Sequence, residues 1–263
     1  MPNRLSSLFE SGRKNLLSVY YTAGFPELDD TLPIAEALQN SGADLIEIGI
    51  PFSDPIADGP VIQASNDVAL KNGMKLNVLF SQIKEMRESV DIPVLLMGYF
   101  NPIFQFGVEN FCFQCKQCGI DGLIIPDMPL WEYEQKWKLV FEKFDLFNVF
   151  LITPQTPLNR ILKIDDLSSS FIYVVSSSAV TGVKNGSNEG QIEYFNRINS
   201  LKLKSPILIG FGISSKTSFK NACKYSNGAI IGSAFIDVLS GLSDKKKERY
   251  SPVGQFVDSI ISE

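Results

Sequence analysis

The chain has 263 residues, of which 44% are hydrophobic, and its formal net charge at pH 7 is −5. This length and apolar content fit one large domain, and we expect residues 1–263 to form it. The acidic balance excludes a broad nucleic-acid-binding surface, and the absence of histidine excludes Ser-His-Asp catalysis and imidazole metal ligands.

The beginning of the chain, residues 1–18, lacks the continuous apolar run of a secretory signal peptide. No stretch approaches roughly 18 uninterrupted apolar residues, the length that crosses a bilayer. We therefore expect a cytoplasmic protein that has no membrane segment.

Eight short β-branched runs recur along the chain, each followed by a turn and a longer stretch with helical spacing of apolar residues. In residues 29–40, for example, apolar side chains recur at the spacing of a helix that covers a sheet face. The number of units favours a closed (β/α)8 TIM barrel over an open Rossmann sheet, and no GxGxxG follows the first run. The runs are 16–22, 43–50, 92–99, 121–127, 148–153, 171–176, 206–212 and 228–233.

Three cysteines, Cys112, Cys115 and Cys118, form a CxxCxxC motif that zinc or an iron–sulfur cluster could use. A packing role is favoured, because Phe111, Cys115 and Cys118 share one helix face. Gly122 also stands where a ferredoxin has its fourth ligand. We expect buried thiols in a reducing compartment and no metal site.

A carboxylate, Glu47, interrupts the apolar second run. Burial would raise its pKa and favour the protonated form, which can donate a proton. Leu45, Glu47 and Gly49 fall on one face of a strand, so Glu47 could face the centre of the barrel. A structural carboxylate that pairs with a neighbouring cation is an equally open interpretation.

The segment after that run, residues 51–63, carries Asp54 and Asp58. Loops that follow barrel strands build active sites, so both aspartates are candidates. The alternative is a purely structural loop, because Asp58-Gly59-Pro60 also has the residues of a turn that starts a helix.

The seventh and eighth runs end in glycine-rich turns, residues 210–214 and 232–234. Glycines allow an anion to approach the backbone closely, a helix N-terminus adds positive potential, and Ser233 can donate a hydrogen bond. Phosphate sites recur after these two strands in barrel enzymes. The pair of turns predicts a phosphate site, although each turn alone could be an ordinary one.

The stretch LIEIGIPFSDPIADGPVIQ, residues 45–63, is similar to the signature of the tryptophan synthase alpha chain family. The resemblance continues in family order through YFNPIF, PDMP, YVVSSSAVTG, GFGIS and GSA, and so covers nearly the whole chain. It implies a retro-aldol cleavage of indole-3-glycerol phosphate to indole and glyceraldehyde 3-phosphate, without metal or organic cofactor in this chain. Glu47 matches the general acid/base, and Asp58 matches the group that accepts the indole N–H and stabilises positive charge on the ring.

The resemblance also implies the substrate-binding residues. Those matching the apolar indole pocket are Tyr20, Tyr99, Ile124, Ile152 and Phe211, with Tyr173 near the substrate and Thr181 in a lid loop that interacts with Asp58. Those matching the phosphate site are Gly182, Gly212, Gly232 and Ser233. Plain core packing is the alternative for each tyrosine and isoleucine. The chain departs from several family members at Ser177-Ser178-Ala179, where they have Arg-Ser-Gly.

The family works with a pyridoxal-phosphate-dependent β subunit, usually as an α2β2 heterotetramer that passes indole between active sites. The resemblance places the interface around the loops after the second and sixth strands, including Asp54. Three alternatives remain at this point. They are a stand-alone indole-3-glycerol-phosphate lyase, a degenerate subunit that only activates its β partner, and another phosphosugar enzyme on the same barrel.

Overall fold

The computed structural model describes residues 3–176, 188–210, 212–242 and 249–262. Eight parallel strands pair in sequence order and close on themselves, which confirms the predicted barrel. Seven of the eight predicted runs contain one of these strands, and the fifth, 148–153, overlaps a strand that begins one residue earlier. The strands are β1 Leu16–Thr22, β2 Leu45–Gly49, β3 Val94–Met97, β4 Gly122–Ile124, β5 Phe147–Ile152, β6 Ile172–Val175, β7 Ile207–Gly210 and β8 Gly228–Ile231.

Helices connect the strands and surround the barrel. The predicted helix at 29–40 begins as a 3-10 turn, Leu28–Asp30, followed by the α-helix Thr31–Asn40. A π-helical turn, Tyr133–Trp137, joins the helices Leu130–Glu132 and Lys138–Lys143. No helix in the described ranges is long and apolar enough to cross a membrane. The helices are α1 Arg4–Glu10, α2 Thr31–Asn40, α3 Pro60–Lys71, α4 Leu76–Ile83, α5 Phe100–Phe106, α6 Val108–Gln117, α7 Leu130–Glu132, α8 Lys138–Lys143, α9 Leu158–Leu167, α10 Asn188–Ser200, α11 Lys216–Cys223, α12 Ser233–Ser240 and α13 Ser251–Ile261.

The barrel encloses an apolar core of its own, separate from the larger core between strands and helices. Alternate strand residues such as Leu45, Leu95 and Leu208 fill the interior. Helix α1 closes the end where the strands begin, because Leu5 is fully buried in this inner core. The Asn3 side chain ties α1 to the backbone carbonyl of Asp121, just before β4, at 2.9 Å. In the described part of the chain, α1 therefore covers the amino ends of the strands.

The three cysteines of the CxxCxxC motif lie in and just after α6, where all three are buried and free. They pack in the outer core with Phe111, and burial raises the pKa of the Cys112 thiol to about 12. Among the residues that the structure describes, no group of three or more His, Cys, Asp or Glu side chains is arranged to hold a metal ion. Their placement is that of packing thiols.

Candidate active site

A cavity of about 280 Å³ lies at the carboxyl ends of the strands. It brings together residues from β1, β2, β3, β6 and β8 and from the loops that follow β2, β7 and β8. This is the end of a barrel at which active sites form. The described residues that line it are Tyr20, Glu47, Asp58, Gly59, Ile62, Met97, Tyr173, Gly212, Ile213, Ser214, Ile230, Gly232, Ser233 and Ala234.

Glu47 lies in the middle of β2 and is fully buried. Ser18 donates a hydrogen bond of 2.7 Å from its Oγ to Oε1 of Glu47, whereas Oε2 has no partner among the residues that the structure describes. Burial raises the pKa of Glu47 to about 7, and the hydrogen bond from Ser18 opposes that rise. The carboxyl is therefore balanced between donating and accepting a proton near neutral pH, which suits a general acid/base.

Asp58 lies in the loop between β2 and α3, two residues before Pro60 begins the helix. Tyr99 donates a hydrogen bond of 3.2 Å from Oη to Oδ2 of Asp58, and the same Oη accepts one from the backbone N–H of Ala57 at 2.9 Å. Burial raises the pKa of Asp58 to about 6, and the hydrogen bond from Tyr99 opposes it. Both carboxyls therefore titrate near neutral pH, and the lower pKa of Asp58 favours its carboxylate form over that of Glu47.

Two tyrosine rings bound the cavity, and each lies over a glycine of the next strand. A Cβ at Gly49 would come within 2.6 Å of Cζ of Tyr20, and a Cβ at Gly210 would overlap the ring of Tyr173. Both glycines stand two positions beyond the register partner of the tyrosine, because Tyr20 pairs with Glu47 and Tyr173 with Leu208. The missing side chains leave flat space in which the rings lie against the sheet.

The two glycine-rich turns after β7 and β8 contribute the other part of the lining. Gly212 has a φ of +74°, which favours glycine, and a Cβ there would meet open space. Gly232 precedes the first residue of α12, Ser233, whose side chain is exposed. The first N–H groups of a helix have no partner within it and carry positive potential.

No lysine or arginine is among the described residues that line this cavity. An anion here would consequently be held by backbone N–H groups, the end of α12 and the Ser233 hydroxyl. An acid, a carboxylate and an anion cradle in one cavity can bind a phosphorylated substrate and move protons on it.

The comparisons with known proteins place the chain in a family. Residues 5–260 match the family model described as tryptophan synthase alpha chain. The tryptophan synthase alpha chain of Flavobacterium johnsoniae is 53% identical over 248 residues, which cover 94% of this chain and 98% of that protein. The chain belongs to the tryptophan synthase alpha chain family. The resemblance inferred from its motifs is thereby confirmed.

Solved structures in the family share the fold. The crystal structure of tryptophan synthase subunit alpha from Legionella pneumophila strain Paris is similar with a TM-score of 0.87 at 30% identity, covering 99% of this chain and 97% of that one. The aminoacrylate-bound tryptophan synthase from M. tuberculosis is similar with a TM-score of 0.84 at 26% identity, covering 98% of both chains.

The cavity brings together most of the site residues that the sequence pointed to and that the structure describes. Seven of them line it, namely Glu47, Asp58, Tyr20, Tyr173, Gly212, Gly232 and Ser233. Thr181, Gly182 and Phe211 lie outside the described residues, as does the altered segment 177–179.

Three of the predicted pocket residues stand elsewhere. Tyr99 is absent from the lining and contacts Asp58 through its hydroxyl. Ile124 points into the barrel but belongs to the inner core, beside its register partner Met97, which does line the cavity. Ile152 is the clearest correction. Because Leu151 packs against the inner core, alternation turns Ile152 toward the helices, where it joins the outer core.

Other lining residues were not predicted. Met97 and Ile230 occupy inward positions of β3 and β8, which strand alternation could have indicated. Ser18 does not line the cavity but contacts Glu47, and it could have been found in the same way, since it precedes Tyr20 by two residues on β1. Ile62, in the first turn of α3, had no comparable signal, because its place depends on how the helix packs.

Proposed function

We propose that the chain cleaves indole-3-glycerol phosphate to indole and glyceraldehyde 3-phosphate, the role known for its family. The observation that carries this proposal is the buried Glu47 carboxyl, whose Oε2 has no partner in the described part of the chain, in one cavity with Asp58 and two glycine-rich turns. A carbon–carbon lyase without metal needs a proton donor at the carbon, a counter-charge and a grip on the phosphate, and this cavity holds a candidate for each.

The reaction moves one proton from the glycerol hydroxyl to the indole carbon that carries the side chain. Protonated Glu47 donates its proton to that ring carbon, and the Asp58 carboxylate accepts the indole N–H and stabilises the resulting cation. The carbon–carbon bond then breaks as the side-chain hydroxyl becomes an aldehyde. The Glu47 carboxylate takes the hydroxyl proton, so the enzyme returns to its starting state.

We place the indole ring between Tyr20, Tyr173 and Met97, and the phosphate at Gly212, Gly232 and Ser233. The flat rings over Gly49 and Gly210 support the first placement, and the orphan N–H groups of α12 support the second. Thr181, Gly182 and Phe211 keep their proposed roles in the lid, the phosphate site and the indole pocket.

The partner that we propose is a β subunit, in an α2β2 heterotetramer whose β subunit holds pyridoxal phosphate. The loop of Asp58 supports an interface there, because Asp54 is exposed and the side chain of Ile56 is 83% exposed. An apolar side chain so exposed beside an active-site loop suits a protein contact. This chain itself needs no organic cofactor for the proposed chemistry.

We also propose that the protein acts in the cytoplasm. All four cysteines are free, and three of them are buried where they could not exchange readily with an oxidant. Free thiols of this kind are typical of a reducing compartment.

The deciding experiment measures release of indole from indole-3-glycerol phosphate by wild type and Glu47→Gln, each with and without a cognate β subunit. We expect wild-type turnover that rises with the β subunit and is lost in Glu47→Gln. Turnover that is the same with and without the β subunit would instead establish a stand-alone lyase. Complex formation without turnover would establish a regulatory subunit. Turnover of phosphosugars that lack an indole ring would contradict the proposal that indole-3-glycerol phosphate is the substrate.

A further inference from the structure

We infer that Ser18 is a positioning residue for Glu47, because its hydroxyl holds Oε1 and thereby turns Oε2 toward the cavity. This inference rests on the proposed function, in which Glu47 moves the proton. Ser18 itself is not among the residues that line the cavity, so it acts through the carboxyl and does not contact the substrate.

The surroundings of Ser18 explain why its hydroxyl is committed to Glu47. Ser18 is fully buried, and its register partners are Leu45 on β2 and Ile230 on β8. Both partners belong to the apolar inner core. A hydroxyl buried in an apolar layer destabilises the fold unless it is hydrogen bonded. In the described part of the chain its bond goes to Oε1 of Glu47, at 2.7 Å.

The bond makes the two carboxyl oxygens unequal. Oε1 accepts from Ser18, whereas Oε2 is buried, has no partner among the described side chains and belongs to a residue that lines the cavity. A proton on the carboxyl therefore resides on Oε2, where it can reach a substrate carbon. When Glu47 gives up that proton, the Ser18 hydroxyl stabilises the carboxylate that remains.

Three other titratable groups line the cavity with Glu47. They are Tyr20 on β1, Tyr173 on β6 and Asp58 in the loop after β2; burial is the main cause of the raised pKa of both tyrosines, and negative charge on the carboxyls adds to it. None of the three carries a positive charge. Burial raises the pKa of Glu47, and the hydrogen bond from Ser18 lowers it.

The test is the pKa of Glu47 in Ser18→Ala, read from the infrared band of the protonated carboxyl after subtraction of the Glu47→Gln spectrum. Loss of one hydrogen bond to a buried carboxylate should raise this pKa by about one unit. Ser18→Thr restores the hydroxyl and should restore the wild-type pKa. Ser65→Ala is the matched control, since Ser65 is a buried hydroxyl whose bonds go to Thr22 and Ile62.

Kinetics give a second reading. Ser18→Ala should lower kcat roughly tenfold and leave KM nearly unchanged, because the cavity lining is intact while proton donation weakens. An unchanged Glu47 pKa in Ser18→Ala, or an equal shift in Ser65→Ala, would overturn the inference. A shifted pKa in a protein that releases no indole would overturn the proposed function and leave the role of Ser18 standing.

Discussion

The hydroxyl of Tyr99 is shared between the side chain of Asp58, to which it donates at 3.2 Å, and the backbone N–H of Ala57, from which it accepts at 2.9 Å. One tyrosine between β3 and α5 therefore fixes two consecutive residues of the loop after β2. The position of the Asp58 carboxylate depends on a side chain 41 residues away along the chain.

Removal of that hydroxyl should change the ionisation of Asp58. In Tyr99→Phe we expect the pKa of Asp58 to rise by about half a unit, because a bond that favours the carboxylate is lost. The acidic limb of kcat/KM against pH would move up accordingly. A limb that stays in place while KM rises would show that Tyr99 serves the pocket and not Asp58.

The pH dependence of the wild type should be bell-shaped. The proposed cycle needs Asp58 ionised and Glu47 protonated, so kcat/KM should rise as pH passes about 6 and fall as it passes about 7. Steady-state rates across this range test it. Activity that keeps rising well above neutral pH would mean that Glu47 starts the cycle as a base.

Glu47 should also make the fold less stable at high pH. Its pKa is raised from 4.5 to about 7 on folding, so its contribution to stability is present below 4.5 and is lost as pH rises through about 7. Glu47→Gln removes this dependence. Between about pH 5.5 and pH 8.5, the free energy of unfolding of wild type should fall by about 2 kcal/mol relative to the variant. Urea denaturation of both proteins at both pH values measures the difference. An equal change in the free energy of unfolding for wild type and variant would contradict the prediction.

The space over Gly210 should be needed for the Tyr173 ring. A Cβ in Gly210→Ala would overlap that ring, so we expect a displaced tyrosine, a KM raised about tenfold and a lower Tm. Gly241→Ala is the control, because its Cβ would lie at an ordinary 3.5 Å from the nearest atom. Equal changes in KM and Tm in the two variants would show that the position of the Tyr173 ring does not depend on the space at Gly210.

Two glycine variants should separate the effect of phosphate binding at the turn after β7 from the effect of backbone strain. Gly212→Val should raise KM about tenfold, because a side chain there hinders approach of the phosphate to the backbone. Gly12→Val is a matched control, since Gly12 has a φ of +70° beside the +74° of Gly212 and equally open space around its Cβ. Both variants should lose similar stability, and only Gly212→Val should change KM. A KM that changes in neither variant would count against this phosphate site.

The strands could be predicted from the sequence because β-branched runs and turns are local signals. The predicted fourth run, 121–127, is longer than β4, Gly122–Ile124, because the ladder ends where the chain turns into the loop that carries Asp127. Local patterns show which residues favour a strand but not where its pairing stops.

The site was harder to predict where it depends on distances across the barrel. Glu47 and Asp58 stand in one contiguous motif, so a family resemblance could locate both. The side that Ile152 faces is set by strand alternation, because its neighbour Leu151 pairs with Tyr173. Matching a residue to a family position does not show which way its side chain points. The bond from Ser18 to Glu47 joins two strands and leaves no pattern in either run.

The proposed cradle for the phosphate relies on main-chain N–H groups in the part of the cavity that the structure describes, and every residue type except proline supplies such a donor. An inhibitor that places a phosphonate there would bind main-chain donors that only a change to proline removes. Resistance would have to arise through proline in these turns or through added bulk at Gly212 or Gly232, and either change would weaken binding of the natural phosphate as well.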